Sequence, residues 1–513
     1  MPKLLAPIPG SLATRATATT TIDPESSPHH EAPFDRESSP GPAGPSSRPS
    51  RHRTIRGTAR CVMTTLKIGI WLCVAASAAA TLQACQDEQG LSSQVQPQDP
   101  DGCASNDQCS TPTAVCDATV CVQCTTEQAS ACTGLIPVCG DDHTCQACAA
   151  HSDCSDSHVC MPDGSCAAAP DVAYVDPAGT DNALCTKDTP CTKVSKALAT
   201  NKPYVKFTGT TDEAVTVDGG TRTFLADPGA KITATGDTIL RVKNDAHLAI
   251  YDLELTGGAA GIIAFDPQVI IDLERVRLTH NGSGIDASRA TFHIADSTIS
   301  DNLRFGIVGG GIVTIVRSTI ADNLGTGIFS PDTLTISQST ISGNQGGGLS
   351  FGGADFDVTN NVIVGNGSLT SYFGGVELGN TGDGGRFEFN TVIDNLASAS
   401  SAPGVSCTAA TAPVTFSNNI IYGNRGGTHG DQVTENAGCA WTYSDIGPKA
   451  VSGTGNINAT PSFVSPLQHD YHLKPDSPGK DLADPAATLD GDFDGDARPQ
   501  GGRRDIGADE IAP

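Results

Sequence analysis

Two sets of acidic residues have the types and spacing to do chemistry. The run Asp490-Gly491-Asp492-Phe493-Asp494-Gly495-Asp496 begins like a calcium loop, Asp-x-Asp-x-Asp-Gly. Alternating carboxylates of this kind converge on one hard cation. The twelfth place of such a loop takes a bidentate Glu, and here it is Gly501. Asp505, Asp509 or Glu510 would then supply the missing ligand. The expectation is calcium at Asp490, Asp492, Asp494 and Asp496, weighed against a hydrogen-bonded acidic turn. The second set is Asp301 and Asp322, 21 residues apart, with Arg304 nearby. If that interval is one structural repeat, the two carboxylates stack about 5 Å apart. Such a pair can share a metal or divide into general acid and general base. Asp before Asn at a turn also serves local backbone hydrogen bonding, which is the plainer reading.

The elements that would position these groups form a repeat. Asp296-Ser297-Thr298-Ile299-Ser300-Asp301-Asn302 returns as Arg317-Ser318-Thr319-Ile320-Ala321-Asp322-Asn323, and then as Gln338-Ser339-Thr340-Ile341-Ser342-Gly343-Asn344. The same frame extends to Asn281, Asn366, Asn395 and Asn424. Three places before each Asn stands Leu278, Ile299, Ile320, Ile341, Ile363, Val392 or Ile421. A Gly opens the next apolar run, as in Gly284-Ile285, Gly306-Ile307 and Gly327-Ile328. A fixed period in this range marks a solenoid. Short runs rich in Ile, Val and Thr are strands, and Gly and Asn are the turns between them. About 21 residues suits one coil of three short strands, with Asn amides passing hydrogen bonds from coil to coil.

Two of the intervals between Asn and Gly are longer than the rest, and a third long loop follows the last Asn. The loops are 367–374, 396–403 and 425–433, and they leave the same corner of adjacent coils. Insertions on one face of a repeat protein often mark its binding side. These carry Tyr372, Phe373, Arg425 and His429, an aromatic and charged set suited to a sugar. Loops that merely tolerate length are the competing explanation.

The Ser-Thr-Ile-Ser-x-Asn frame resembles the right-handed parallel β-helix of the pectin-lyase-like repeat family, over about residues 203–466. The resemblance implies an all-β solenoid and a family that includes lyases, hydrolases and adhesins. Asn390-Thr391-Val392 is similar to the first triplet of the polygalacturonase set but lacks its Asp, and no Gly-His-Gly follows. Tyr174-Val175-Asp176-Pro177 resembles the opening of many β-helix proteins. The helix-forming stretch 193–200, with Val194, Ala197 and Leu198 on one side, is expected to cover the first coil. Asp490 to Pro499 followed by Asp505-Ile506-Gly507-Ala508-Asp509-Glu510 resembles the C-terminal signature of exported bacterial β-helix proteins of the choice-of-anchor Q type.

Ahead of the repeat lie twelve Cys between Cys103 and Cys166, in three sets of four. An even count with few large apolar residues reads as disulfide-stapled modules, two bridges each. Zinc at the Cys121-x-x-Cys124 and Cys145-x-x-Cys148 gaps is the alternative. The modules read as a stiff spacer, or else as a small binding unit. Cys185 with Cys191, and Cys407 with Cys439, are further expected bridges. Residues 63–84 carry a charged lead, a short apolar run and small residues, the layout of a secretory signal. Leu82-Gln83-Ala84-Cys85 resembles the lipobox of bacterial lipoproteins, which implies lipidation at Cys85.

The expected organisation is a disordered 1–62 outside the mature protein, a signal at 63–84, a tether at 85–102, disulfide repeats at 103–166, an N-terminal cap at 167–202, a β-helix at 203–466 and a C-terminal cap at 467–513. A formal charge of −26 excludes a nucleic-acid binder, which needs a basic face. The function expected is that of an exported monomer, lipid-anchored at the outer membrane or cell surface, that binds or displays, with a polysaccharide or a surface partner as its ligand. The alternatives are a polysaccharide lyase or glycoside hydrolase on the outer face, and a structural surface protein with no ligand.

Overall fold

The computed structural model describes residues 102–330, 332–353, 355–379, 385–398, 402–408, 414–426, 431–434 and 439–512. From Val172 to Gly447 the chain winds through three parallel sheets, which hold 12, 11 and 9 strands among the described residues. Sheet A is built of three-residue strands such as Thr298–Ser300, Thr319–Ala321 and Thr340–Ser342. Sheet B contains Thr326–Ser330 and Gly347–Phe351, and sheet C contains Ile312–Val316 and Thr333–Ser337. Each strand pairs with its counterpart one coil away. Leu278, Ile299, Ile320 and Ile341 therefore stand in register down sheet A. Ile285, Ile307, Ile328 and Leu349 do the same in sheet B. These columns are fully buried and fill the solenoid with aliphatic ladders. Burial contributes about 1.5–3 kcal/mol for each such side chain. In the wider final coils the filling turns aromatic, and Phe356, Phe387, Phe416 and Trp441 meet ring to ring. The all-β parallel solenoid expected from the repeat is thus the fold.

The asparagines at the end of each sheet A strand form a buried ladder. Asn302 donates from its backbone N–H and its Nδ2 to Oδ1 of Asn323, at 3.1 and 2.8 Å. Asn323 does the same to Asn344, and the chain of amides continues through Asn366, Asn395 and Asn424 to Gln432. Each Nδ2 also caps a strand carbonyl, as Asn323 does at Ile299 (3.2 Å). The residue before each Asn has a left-handed backbone: φ is 55° at His280, 57° at Asp301, 54° at Asp322 and 54° at Asp394. Gly343, Gly365 and Gly423 occupy the same place. Residues that tolerate this region are Gly, Asn, Asp and His. In the regular coils the Gly that opens sheet B comes three or four residues after the Asn, and nine after Asn366 and Asn395. A Cβ on Gly306 would lie 2.5 Å from the Gly327 carbonyl and 2.9 Å from Asn323 Nδ2, so no larger residue fits beside the ladder.

A second ladder runs where sheet C turns into sheet A. Ser297, Ser318 and Ser339 each accept from the backbone of the coil before, and Asn361, Asn390, Asn419 and Ser444 continue the line. It ends at Asn456.

At the N-terminal end a short helix, Val194–Ala199, buries Val194 and Ala197 against the first coil. Oε2 of Glu213 accepts from the Val194 N–H at 2.6 Å and so caps it. Cys185 is bonded to Cys191 beside it, and Cys407 to Cys439 in the last coils. The cysteine-rich segment forms three alike modules, bridged first-to-third and second-to-fourth: Cys103–Cys116 with Cys109–Cys121, Cys124–Cys139 with Cys132–Cys145, and Cys148–Cys160 with Cys154–Cys166. Cys121 and Cys124 therefore belong to different modules, and disulfides take the place of zinc. The third module is docked on the solenoid. Val159 and Ala167 pack with Val172, Tyr174 and Leu225, and the Tyr174 hydroxyl donates to the Ser157 carbonyl at 2.7 Å. The signal, the lipidation position Cys85 and nearly all of the tether lie outside the described residues.

One buried group in the last coil is unsatisfied. Asp445 has one oxygen on the Ala459 N–H (3.0 Å) and the other without a partner. Burial pushes its pKa up to about 6.

Two outcomes follow. Asn323→Ala leaves the Ile299 carbonyl and the Asn302 amide groups buried and unpaired, and should cost about 3–5 kcal/mol in urea denaturation. For Asp445 the folded pKa lies above the unfolded value. Its ionisation therefore opposes folding as pH rises through about 6, by about 3 kcal/mol at most. Asp445→Asn should match the parent at pH 4 and exceed it in melting temperature at pH 8.

Candidate functional site

The outer face of sheet A is partly covered by the C-terminal segment. Residues expected to cap the end of the stack lie along this flank, over successive coils up to the one before the last. Phe463, Tyr471, Leu473, Ile506 and Ala508 pack on Val362, Val364, Ile393 and Ile420. The seam is held by the left-handed corner residues of successive coils. Gln338 Nε2 donates to the Asp492 carbonyl (2.9 Å) and Asn360 Nδ2 to the Gly491 carbonyl (2.7 Å). Asn418 Oδ1 accepts from the Asp484 N–H (2.7 Å). Arg498 lies over the Phe389 ring at 4.6 Å. Its guanidinium is fully buried, pairs with Glu510 at 3.3 Å and donates to the carbonyls of Asp505 and Gly507. Glu510 in turn accepts from the N–H groups of Gln500 and Asp505, and Asp509 from that of Leu473. Burial pushes Asp505, Asp509 and Glu510 above the usual carboxylate range. The acidic C-terminal signature is therefore a folded latch.

The four aspartates of the acidic run are placed differently from one another. Asp492 is buried, its Oδ1 accepts from the N–H groups of Asp494 and Asp496, and its Oδ2 from that of Glu510. Asp490 faces outward to Arg504, and Asp494 binds His472. The four carboxylates do not converge. His472 sits between Asp470 (2.6 Å) and Asp494 (2.7 Å). Burial pulls its pKa down, but these two hydrogen bonds and the nearby carboxylates outweigh it and push it up to about 9.

Between this segment and the Asn-turn corner runs an open groove of about 550 Å³. One wall is His469 and Tyr471 from the C-terminal segment, and the other is Leu396 and Arg425 from the inserted loops. The floor is the column of left-handed turns: Asp322, Gly343, Gly365 and Asp394. A Cβ on Gly343 would lie 2.3 Å from Asp322 Oδ1, so the missing side chain lets that carboxylate lie flat over the next turn. Three coil steps separate Asp322 from Asp394, roughly 14 Å at the usual strand spacing.

Of the residues named from the sequence, Asp322 and Arg425 line the groove. Asp301 stacks one coil away, outside its lining, and accepts from the Ser300 hydroxyl at 2.8 Å. The loops do meet as one patch: residues 367, 396 and 425 pair in parallel, and Ser398 donates to the Ser371 carbonyl. Tyr372 stands 65% exposed on that patch. Phe373 requires a correction. It is buried, with its ring 2.4 Å from where a Gly347 Cβ would be, and it serves packing. His429 lies outside the described residues. Asp394, His469 and Tyr471 were not foreseen. Asp394 stands in the turn column and could have been found there. The other two reach the groove only through the fold of the C-terminal segment.

Comparison with known proteins fits this architecture. The family described as "Right handed beta helix region" matches residues 238–392 and 313–446. No curated protein matches the chain. Among solved structures, pectate lyase Pel9A aligns with 17% identity and a TM-score of 0.45, over 66% of this chain and 96% of its own. The Dettilon tailspike protein (gp208) aligns with 12% identity and a TM-score of 0.25, over 53% of this chain and 68% of its own. The described solenoid is all-β and parallel, and the family match within it supports a right-handed β-helix repeat.

Arg498→Ala should leave Glu510 as an uncompensated buried charge and cost about 3–5 kcal/mol. Limited proteolysis should then cut within residues 467–512 while the coils stay intact.

Proposed function

We propose that this protein is an exported surface β-helix, lipid-anchored at Cys85, that binds a polysaccharide along the groove beside the Asn-turn corner. The single observation that carries this reading is the groove itself: an open channel with a glycine floor, carboxylates at intervals along it and a cation, Arg425, at its edge. An open groove that runs along several coils suits a chain molecule. Hydroxyl groups can donate to Asp322 and Asp394 and accept from Arg425. The exposed Tyr372, on the inserted loop whose Gly367 lines the groove, carries a ring on which a sugar can lie. The strongly acidic chain favours a neutral polysaccharide over an acidic one. Eight disulfides among the described residues suit an oxidising compartment, which supports export.

The spacing of the carboxylates weighs against hydrolysis in the groove. Glycosidases hold their two carboxyls roughly 5–9.5 Å apart. Asp322 and Asp394 are separated by roughly 14 Å of stacked coils, and the closer partner Asp301 stands outside the lining.

The test is affinity electrophoresis of the chain through gels containing neutral polysaccharides, with reducing-end and unsaturated-product assays alongside. Retardation by one polysaccharide is expected, weakened about tenfold or less by Tyr372→Ala and further by Asp394→Ala, with no turnover. Turnover that Asp322→Ala abolishes would make the protein an enzyme. Migration unchanged by every polysaccharide would leave a structural role.

A further inference from the structure

A cleft of about 740 Å³ lies where the third disulfide module meets the outer face of sheet C, away from the corner groove. That is the size of small-ligand pockets, which favour the junctions of folded units. Ala150, His151 and Met161 form the module side, and Tyr251, Glu274 and Arg275 the solenoid side. The two sides are rigidly joined by the packing of Val159 and Ala167 on Val172 and Leu225, and by the bond from Lys187 Nζ to the Ser155 carbonyl (3.1 Å).

The charged groups here are largely neutralised. Arg275 binds both oxygens of Asp252, at 2.7 and 2.9 Å, and also meets Glu274. Asp227 pairs with the buried Lys206 at 2.6 Å. Three carboxylates against two cations leave no excess positive charge for an anion. What remains free is of another kind. The Tyr251 ring is half-buried, with Arg275 at 6.0 Å from its centroid, and its hydroxyl makes no hydrogen bond among the described residues. Carboxylates bound to Arg275 keep lone pairs for hydroxyl donors. Arg275 lies over the Tyr251 ring, so what the cleft offers is a rim of fixed acceptors and a free hydroxyl, which matches the hydroxyl edge of a sugar.

We infer that this junction cleft binds a short neutral saccharide, and that the third disulfide module is one wall of a binding site. The site is separate from the corner groove and stands whether or not that groove binds.

The experiment titrates the full chain with neutral hexasaccharides of glucose, mannose and galactose by calorimetry, with an oligouronate as the acidic control. Binding of a neutral hexasaccharide is expected. Ala150→Trp, which fills the cleft from the module side, should abolish it. Tyr251→Phe, which removes only the free hydroxyl, should weaken it about tenfold. Tyr372→Ala should leave it unchanged. The inference is overturned by absence of binding, by preference for the oligouronate, by binding that Ala150→Trp and Tyr251→Phe leave intact, or by binding that Tyr372→Ala removes. Melting curves of each variant separate lost binding from lost fold.

Discussion

The interaction on which the rest depends is the amide passed from one buried asparagine to the next. A coil must turn from sheet A to sheet B without water, and its backbone groups at the bend need partners. The Asn ladder supplies them, since each Oδ1 serves the coil before it while each Nδ2 reaches both the next amide and a strand carbonyl. This fixes three neighbouring positions at once. The residue before Asn takes a left-handed backbone, the Gly after the turn gives way to the ladder, and the apolar residue three places earlier points inward. The ladder also decides where length can be added. Residues 367–374 and 396–403 are inserted after the amide has been placed and before the Gly that opens sheet B, so the coil grows outward without breaking the stack. The corner groove exists because of that freedom.

The opposite corner follows the same logic with a different use. Its left-handed residues alternate in charge in the middle coils, where Arg275 clasps Asp252 and Arg317 clasps Asp296 with two hydrogen bonds each. Such pairs on adjacent coils favour one register, although exposed pairs add little stability. From Gln338 onward the charges stop, and Gln338, Asn360, Phe389 and Asn418 turn to hold the C-terminal segment. One column thus clamps coil to coil in its first half and coil to tail in its second. The change coincides with apolar residues appearing on the outside of sheet A, at Val362, Val364, Ile393 and Ile420. An outward apolar strip and a tail that covers it are two sides of one constraint.

The solenoid was legible because its code is local and repeated. Ile299, Ile320 and Ile341 recur at the spacing at which they stack, and Asn302, Asn323 and Asn344 recur with them. The second ladder recurs in the same frame but changes from Ser339 to Asn361, and a pattern that swaps residue type is hard to see in one chain. The groove was half legible. Asp322 and Arg425 come from the repeat and its insertions, whereas His469 and Tyr471 arrive through contacts between distant parts of the chain. The acidic run at 490–496 is ambiguous in sequence because a carboxylate that accepts backbone N–H bonds and one that binds a cation need the same residue types. Asp492 is spent on three N–H groups, and that is decided by the turn it sits in.

The aspartates of the groove illustrate how a structural demand can be put to use. Asp and Gly recur in the turn column because each tolerates the left-handed backbone, and this alone accounts for Asp322 and Asp394. Gly at the two turns between them is the more telling choice. His280, Asp301 and Asp322 show that side chains fit this column, yet Gly343 and Gly365 leave it bare where the inserted loops and the C-terminal segment rise on either side. A floor with side chains would be shallow there. Stripped to backbone, it becomes a channel with a carboxylate near each end. Both turns have a left-handed backbone that Gly takes without strain, and at Gly343 a Cβ would meet the Asp322 carboxylate, so backbone and neighbour together keep the floor bare.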